Sequence, residues 1–251
     1  MTIDKIAQLN DWINHARRIV FFGGAGVSVA SGIPDFRSEN GLYSSEYDGK
    51  SPEEILSATY FALNTKKFYD FYRKYMVHPE AQPNAVHKKL YKLEKADKLR
   101  GIVTQNIDGL HKIAGNIRVY ELHGNIHENY CVNCEESYPL EKIMDAGKLL
   151  AQGESDGVPR CDKCGGIIKP WVVLYGEALD KYTGIGACRE ISNCDLLIVA
   201  GTSLSVEPAA SYLEYFGGKH LVVINKDATP ADDRANLVIR EDVNWVFEQL
   251  G

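Results

Sequence analysis

Phe21-Phe22-Gly23-Gly24-Ala25-Gly26-Val27-Ser28-Val29-Ala30-Ser31-Gly32-Ile33-Pro34-Asp35-Phe36-Arg37 is the stretch whose reading decides the fold. The apolar run from Ile19 to Phe22 reads as a buried strand that drives straight into glycines and small residues. Glycine lets a backbone approach an anion, and the N–H groups of a following helix start point at it, so this is the layout of a phosphate-cradling turn. Ser31-Gly32-Ile33-Pro34 then breaks the helix early and presents Asp35, Phe36 and Arg37 beside that turn. On the glycines alone the reading stays open, because Gly24-x-Gly26 also suits an ordinary strand-to-helix turn. The third glycine of the dinucleotide fingerprint is missing, and Val29 stands in its place.

Outward from this stretch the same grammar repeats. Ile102-Val103-Thr104 runs into Gln105-Asn106-Ile107-Asp108, and Val119 to Leu122 runs into His123-Gly124-Asn125. Leu196 to Ala200 ends at Gly201-Thr202-Ser203, and Leu221 to Ile224 ends at Asn225-Lys226-Asp227. Apolar strands ending in polar turns predict an α/β fold with a parallel sheet and crossover helices, and its ligand site at the carboxyl ends of the strands. Residues 3–17 and 84–95 carry helical spacing, and a last helix from about Val243 to Leu250 is expected to close the sheet. Segments 38–78 and 126–170 fit this grammar poorly. They are expected to form a smaller domain together, leaving 1–37, 79–125 and 171–251 as the main one. Tyr60, Phe61, Phe68, Tyr69, Phe71, Tyr72 and Tyr75 read as its satellite apolar cluster.

The chain has 251 residues with a net charge of −6, which argues against direct nucleic-acid binding. It has no apolar run long enough to span a membrane, and its first residues lack signal-peptide character, so a cytoplasmic location is expected. Four of its six cysteines form two C-x-x-C pairs, Cys131/Cys134 and Cys161/Cys164. That spacing suits tetrahedral zinc, and four protein ligands leave no open position, so the metal is expected to be structural. A redox pair or free buried thiols is the alternative. His123, at a strand end beside the polar end of another strand, is the candidate base, with His111 as competitor. Thr202, Ser203, Asn225 and Lys226 suit phosphate or ribose hydroxyls, although each also fits a routine turn.

Taken together and in order, these motifs resemble the sirtuin family of NAD-dependent protein lysine deacylases, close to its bacterial members. The resemblance runs from about Val20 to Val243. It rests on Gly-Ala-Gly-x-Ser at 24–28, Gly-Ile-Pro-Asp-Phe-Arg at 32–37, Thr-Gln-Asn-Ile-Asp-Gly-Leu-His at 104–111, Leu-His-Gly at 122–124, the paired cysteines, Gly-Glu at 176–177, Gly-Thr-Ser-Leu at 201–204 and Asn225. It implies an inverted Rossmann-like domain, a zinc-bearing small domain, and an acetyl-lysine protein or peptide threading the cleft between them. It implies further that Gly24, Ala25, Val29, Phe36, Arg37, Gln105, Thr202, Ser203, Asn225, Lys226 and Val243 line the NAD site. By the same resemblance Ile107 and Asp108 hold the nicotinamide carboxamide, Asn106 lies near the ribose, and His123 is the general base. The implied reaction moves the acyl group from lysine to ADP-ribose, releasing nicotinamide, with Phe36 as a lid against wasteful hydrolysis. ADP-ribosyl transfer to protein, or a non-catalytic NAD or zinc module, would need a different acceptor or a degraded His123, Asn106 or Asp108; all three residues are intact. The chain departs from the family at Tyr175, commonly phenylalanine, and at Val29, often a small hydroxyl residue. It lacks the Tyr-x-x-Arg pair of members that take acidic acyl groups, so acetyl is the expected group.

Overall fold

The computed structural model describes residues 2–36, 41–42 and 47–251. The strands are β1 Ile19–Gly23, β2 Leu99–Thr104, β3 Val119–Glu121, β4 Gly124–Cys131, β5 Ser137–Pro139, β6 Ile168–Val172, β7 Leu196–Ala200, β8 His220–Ile224 and β9 Leu237–Ile239. The α-helices are α1 Thr2–His15, α2 Pro52–Ile55, α3 Ala58–Leu63, α4 Thr65–Tyr75, α5 Ala85–Lys95, α6 Leu110–Ile113, α7 Leu140–Ala151, α8 Lys181–Asn193 and α9 Val243–Gln249.

Six strands form one parallel sheet in the order β3-β2-β1-β7-β8-β9. Counting only these strands, the order is that of the doubly wound dinucleotide fold, and its direction reverses between β1 and β7. Alternate side chains of β1 leave the sheet on opposite faces. Ile19 and Phe21 join Ile6, Leu9 and Ile13 of α1, Leu90 of α5 and Phe247 of α9. Val20 and Phe22 join Ile191 of α8 and Leu213. Both faces are therefore covered, which is why β1 and β7 read as unbroken apolar runs.

The structure corrects two expectations. The last helix does not close the sheet; it packs on one face beside α5, and the edge is β9. β9 is too short to carry a recognisable period. After β1 the chain forms two single 3₁₀ turns, Ala25–Val27 and Val29–Ser31, in place of a regular helix start, and ends them at Gly32 with φ +86°.

A second core unites Ile55, Tyr60, Phe61, Phe68, Tyr69, Phe71 and Tyr72 with Ile126, Leu140, Ile143, Val158 and Ile168. The aromatic cluster read from α3 and α4 is thus packing, and it rests on a three-stranded antiparallel sheet ordered β5-β4-β6.

Two histidines lie in the main core, His87 on α5 and His111 on α6, with ring centroids 4.6 Å apart. The backbone N–H of Asn84 donates to His87 Nδ1 at 3.2 Å, a cap on the start of α5. Burial pushes the His87 imidazole down to about 4, and burial followed by the repulsion of His87 depresses His111 further. Between pH 6.5 and 4 the unfolded chain therefore binds protons at these rings that the folded chain refuses, and stability falls as pH falls. For His87 alone the loss from pH 7 to pH 5 is about 2 kcal/mol. His87→Gln keeps a capping side chain without titrating, so the gap between urea stabilities measured at pH 7 and pH 5 should shrink by that amount. An unchanged gap would contradict the assignment.

Candidate active site and metal centre

A cavity of about 450 Å³ opens at the carboxyl ends of β1, β2, β7 and β8, at the point where the strand order reverses. Its shape begins with glycine. The N–H of Gly26 donates to the Gly201 carbonyl at 2.9 Å, and a Cβ on Gly26 would stand 2.8 Å from the Gly201 Cα. Only glycine lets the turns after β1 and β7 come this close. One side of the cavity is polar, with Gln105, Asn106, Thr202, Ser203, Asn225 and Lys226; the other is apolar, with Leu56, Met76, Val172, Val173 and Leu174. Its size suits a dinucleotide-scale ligand.

Thirteen of the residues picked out from the sequence line this one cavity: Gly24, Ala25, Val29, Phe36, Gln105, Asn106, Ile107, His123, Thr202, Ser203, Asn225, Lys226 and Val243. Asp108 does not. It lines a smaller adjoining cavity of about 40 Å³ with Ala25, Phe36, Asn106 and Ile107. Arg37 lies outside the described residues. His111 is fully buried among Phe21 and His87 and faces neither cavity.

His123 follows β3, and its Nδ1 lies 2.9 Å from the carbonyl oxygen of Gln105. A carbonyl only accepts, so Nδ1 carries the proton and Nε2 keeps its lone pair. The backbone is pinned as well, since the His123 carbonyl accepts from the Val173 N–H at 3.0 Å. Burial lowers the imidazole below its ordinary range, while the Gln105 carbonyl opposes the shift, so the ring stays neutral at pH 7. These are the properties of a base held ready.

In the smaller cavity, Ser28 joins two of the predicted groups. Its hydroxyl donates to Asp108 Oδ2 at 2.6 Å and accepts from Asn106 Nδ2 at 3.0 Å. Burial raises the Asp108 carboxyl, against the pull of Ser28 and the Leu110 N–H. Thr104 Oγ1 accepts from the Asn106 N–H at 3.0 Å and fixes the strand end. Ser28 and Thr104 were missed as site residues by the sequence reading. Ser28 closes the Gly-Ala-Gly-x-Ser motif and Thr104 opens the Thr-Gln-Asn-Ile-Asp-Gly-Leu-His motif, and those motifs were the available signal. Elsewhere on the rim Gln105 Nε2 donates to Thr202 Oγ1 at 3.1 Å, and Lys226 pairs with Asp242 at 2.9 Å.

The Sγ atoms of Cys131, Cys134, Cys161 and Cys164 all lie within 4.8 Å of one another. Neighbouring pairs stand 3.4–3.6 Å apart, far too long for disulfides. Tetrahedral zinc with Zn–S of about 2.3 Å sets its sulfurs about 3.8 Å apart, so the four thiols fit that ion. The backbone holds them in advance: the Cys161 N–H bonds the Gly166 carbonyl, and the Cys131 N–H bonds the Glu136 carbonyl.

A family model described as the Sir2 family matches residues 24–208, more than half of the chain. The chain belongs to the Sir2 family. It is 49% identical over 100% of its length to an NAD-dependent protein deacetylase of Clostridium acetobutylicum, covering 99% of that protein. A protein of the same description from Clostridium perfringens is 49% identical, with 98% of each chain covered. Among solved structures, a Sir2 protein with a deacetylated p53 peptide and 3′-O-acetyl ADP ribose superposes with a TM-score of 0.87 at 38% identity, covering 97% of this chain and 96% of the other. A Sir2 protein with p53 peptide and NAD+ gives 0.84 at 38% identity, with the same coverage. The likeness to these structures bears out the expected parallel sheet with its covering helices.

In this Sir2 chain the Tyr138 hydroxyl accepts from the Asp162 N–H at 2.8 Å and so aims its own proton at Cys161 Sγ, 3.1 Å away. Partners behind metal ligands govern how firmly the metal is held. Tyr138→Phe should therefore release zinc to a chromophoric chelator about 10-fold faster than the parent. Equal release rates would show that the hydroxyl does nothing for the metal.

Proposed function

We propose that this chain is an NAD-dependent protein lysine deacetylase, which moves the acetyl group from lysine to ADP-ribose and releases nicotinamide and O-acetyl-ADP-ribose. The observation that carries this reading is His123, a neutral buried imidazole with Nδ1 committed to Gln105, set in a cavity of dinucleotide size. The relatives at 49% identity carry the same activity in their description.

Bound NAD supplies an electrophilic ribose carbon with nicotinamide as its leaving group. The chain's residues do the rest. Gly24 and Ala25 of the first turn, with Gln105, Thr202 and Ser203, take the phosphate and ribose side. Val29, Asn225, Lys226 and Val243 extend that side. Ile107 and Asp108 reach from the adjoining small cavity, where the Asp108 carboxyl, fixed by the Ser28 hydroxyl and the Leu110 N–H, can accept from the amide of a carboxamide. Asn106, held on Ser28 and Thr104, positions the ribose. His123 Nε2 takes a proton from a ribose hydroxyl and leaves an oxygen nucleophile. Phe36 shields the reacting carbon from water. The apolar side formed by Leu56, Met76, Val172, Val173 and Leu174 suits the methylene stem and neutral acetyl group of acetyl-lysine. The four cysteines hold zinc as a brace, and nothing in the reaction passes through the metal.

Arg73 supports acetyl over an acidic acyl group. It is the one arginine of α4, and it donates to the Gly157 carbonyl at 2.7 Å and pairs with Asp70 at 3.1 Å, away from the cavity. We take residues 1–37, 79–125 and 171–251 as the NAD-binding portion and 38–78 with 126–170 as the small one, which the separate apolar cores support. We place the protein in the cytoplasm, since thiols used as metal ligands suit a reducing compartment. No helix among the described residues is long and apolar enough to cross a membrane.

His123→Ala should lower kcat for acetyl-lysine peptide by about 10²–10⁴-fold, with NAD affinity little changed. Lysine release and O-acetyl-ADP-ribose, quantified by mass spectrometry, should fall together; undiminished turnover would remove His123 from the chemistry. Because burial depresses His123, the base stays neutral as pH drops through 6.5. The acid limb of kcat/KM should accordingly lie below pH 6.5, and a limb above 7 would contradict a buried neutral base.

A further inference from the structure

Lys169 is a lysine with only 7% of its surface exposed, on the strand beside the metal knuckle. In the β4/β6 ladder it pairs with Tyr130, one position from the Cys131–Ile168 pair. Its ammonium stands 5.8 Å from the centre of the Tyr130 ring. A buried ammonium needs partners for its donors, and here every partner lies a few residues ahead in the chain. Nζ donates to the Val172 carbonyl at 3.0 Å, to Glu177 Oε2 at 3.0 Å and, more weakly, to the Pro170 carbonyl at 3.4 Å. The same Glu177 oxygen accepts from the Leu174 N–H at 2.8 Å.

These bonds encircle one wall of the main cavity. Residues 172–177 all line it, and 173–177 belong to no strand or helix. The wall is fastened at Val173 by the His123 carbonyl and at Tyr175 by backbone bonds to Leu56 and Ala58. Between and beyond those points, Lys169 and Glu177 fix where Val172 and Leu174 stand. The pair is largely withdrawn from water, with side-chain exposures of 9% and 30%, so it is not a screened surface contact.

We infer that Lys169 is a positioning residue for the acyl-lysine side of the site: through Glu177 it holds the 172–177 wall in its receiving shape and ties that wall to the metal knuckle. The inference rests on the deacetylase reading, in which this wall meets acetyl-lysine. It assigns to Lys169 control of peptide binding and not of NAD binding, because none of its partners touches the glycine turn or the ends of β7 and β8.

The test uses zinc-loaded full-length protein as the parent, Lys169→Met, Lys169→Arg and Glu177→Gln. Peptide affinity is read by fluorescence anisotropy of a labelled acetyl-lysine peptide, and steady-state kinetics give KM for peptide and for NAD. Lys169→Met should weaken peptide binding and raise peptide KM by about 10-fold, with NAD KM within about 2-fold and bound zinc unchanged. Lys169→Arg keeps the charge and should recover most of the loss, and Glu177→Gln should fall in the same direction as Lys169→Met. Peptide and NAD KM rising together, peptide affinity unchanged in the face of a lower Tm, or Lys169→Arg no better than Lys169→Met would each overturn the inference. Should Lys169→Met fail to fold, Glu177→Gln decides by the same readings. A parent that binds peptide without releasing lysine would overturn the deacetylase reading instead, and anisotropy would still judge Lys169.

Discussion

The backbones of Gly26 and Gly201 meet at the ends of β1 and β7, joined by a 2.9 Å hydrogen bond, with no room for a Cβ on Gly26. The constraint reaches well past that point. Gly24 is held the same way, its N–H donating to the Ala200 carbonyl and its missing Cβ standing 2.7 Å from that of Thr202. Two strands that run side by side but feed crossovers in opposite directions would ordinarily splay their turns apart. Here the turns are locked together, and the space they enclose with the ends of β2 and β8 becomes one cavity. The polar groups along its rim are strand ends, fixed by the sheet ladder before any ligand arrives, so they lose little freedom on binding.

The side of the cavity that holds His123 depends on the same economy of anchoring. His123 is held through its ring to the end of β2 and through its carbonyl to Val173, so the imidazole and the apolar wall share one tether. Gly124, with φ +74°, makes this possible: a Cβ there would overlap the Trp171 carbonyl, and β4 could not begin directly after His123. From Gly124 the chain passes into the small antiparallel sheet, to Cys131 and the metal knuckle, and back through β6 to the wall. The smaller unit is thereby a brace. Its aromatic core and four cysteines hold one side of the cavity against the rigid sheet that forms the other.

Much of this was written in the sequence because it follows from local chemistry. Unbroken apolar runs at Ile19–Phe22 and Leu196–Ala200 can belong only to strands covered on both faces, and polar residues after them mark the ligand end. Paired cysteines at fixed spacing need no tertiary information to suggest zinc. β9 escaped notice because Leu237-Val238-Ile239 is too short for a period, and its pairing with β8 is decided by the sheet. Ser28 acts through hydrogen bonds to residues that the fold brings near, 78 and 80 positions away, whereas Thr104 acts locally, on the N–H of Asn106 two residues on. Asp108, adjacent in sequence to the cavity residue Ile107, turns into the neighbouring pocket because Gly109, with φ +73°, reverses the chain into α6.

The most direct measurement is isothermal titration of NAD into the parent protein and into Gly26→Ala, with circular dichroism confirming that both are folded. If the contact between the turns builds the NAD site, the added methyl group forces β1 and β7 apart at their ends, and affinity should fall by about 10-fold or more while the sheet survives. A folded Gly26→Ala protein that binds NAD as tightly as the parent would contradict the account at its root.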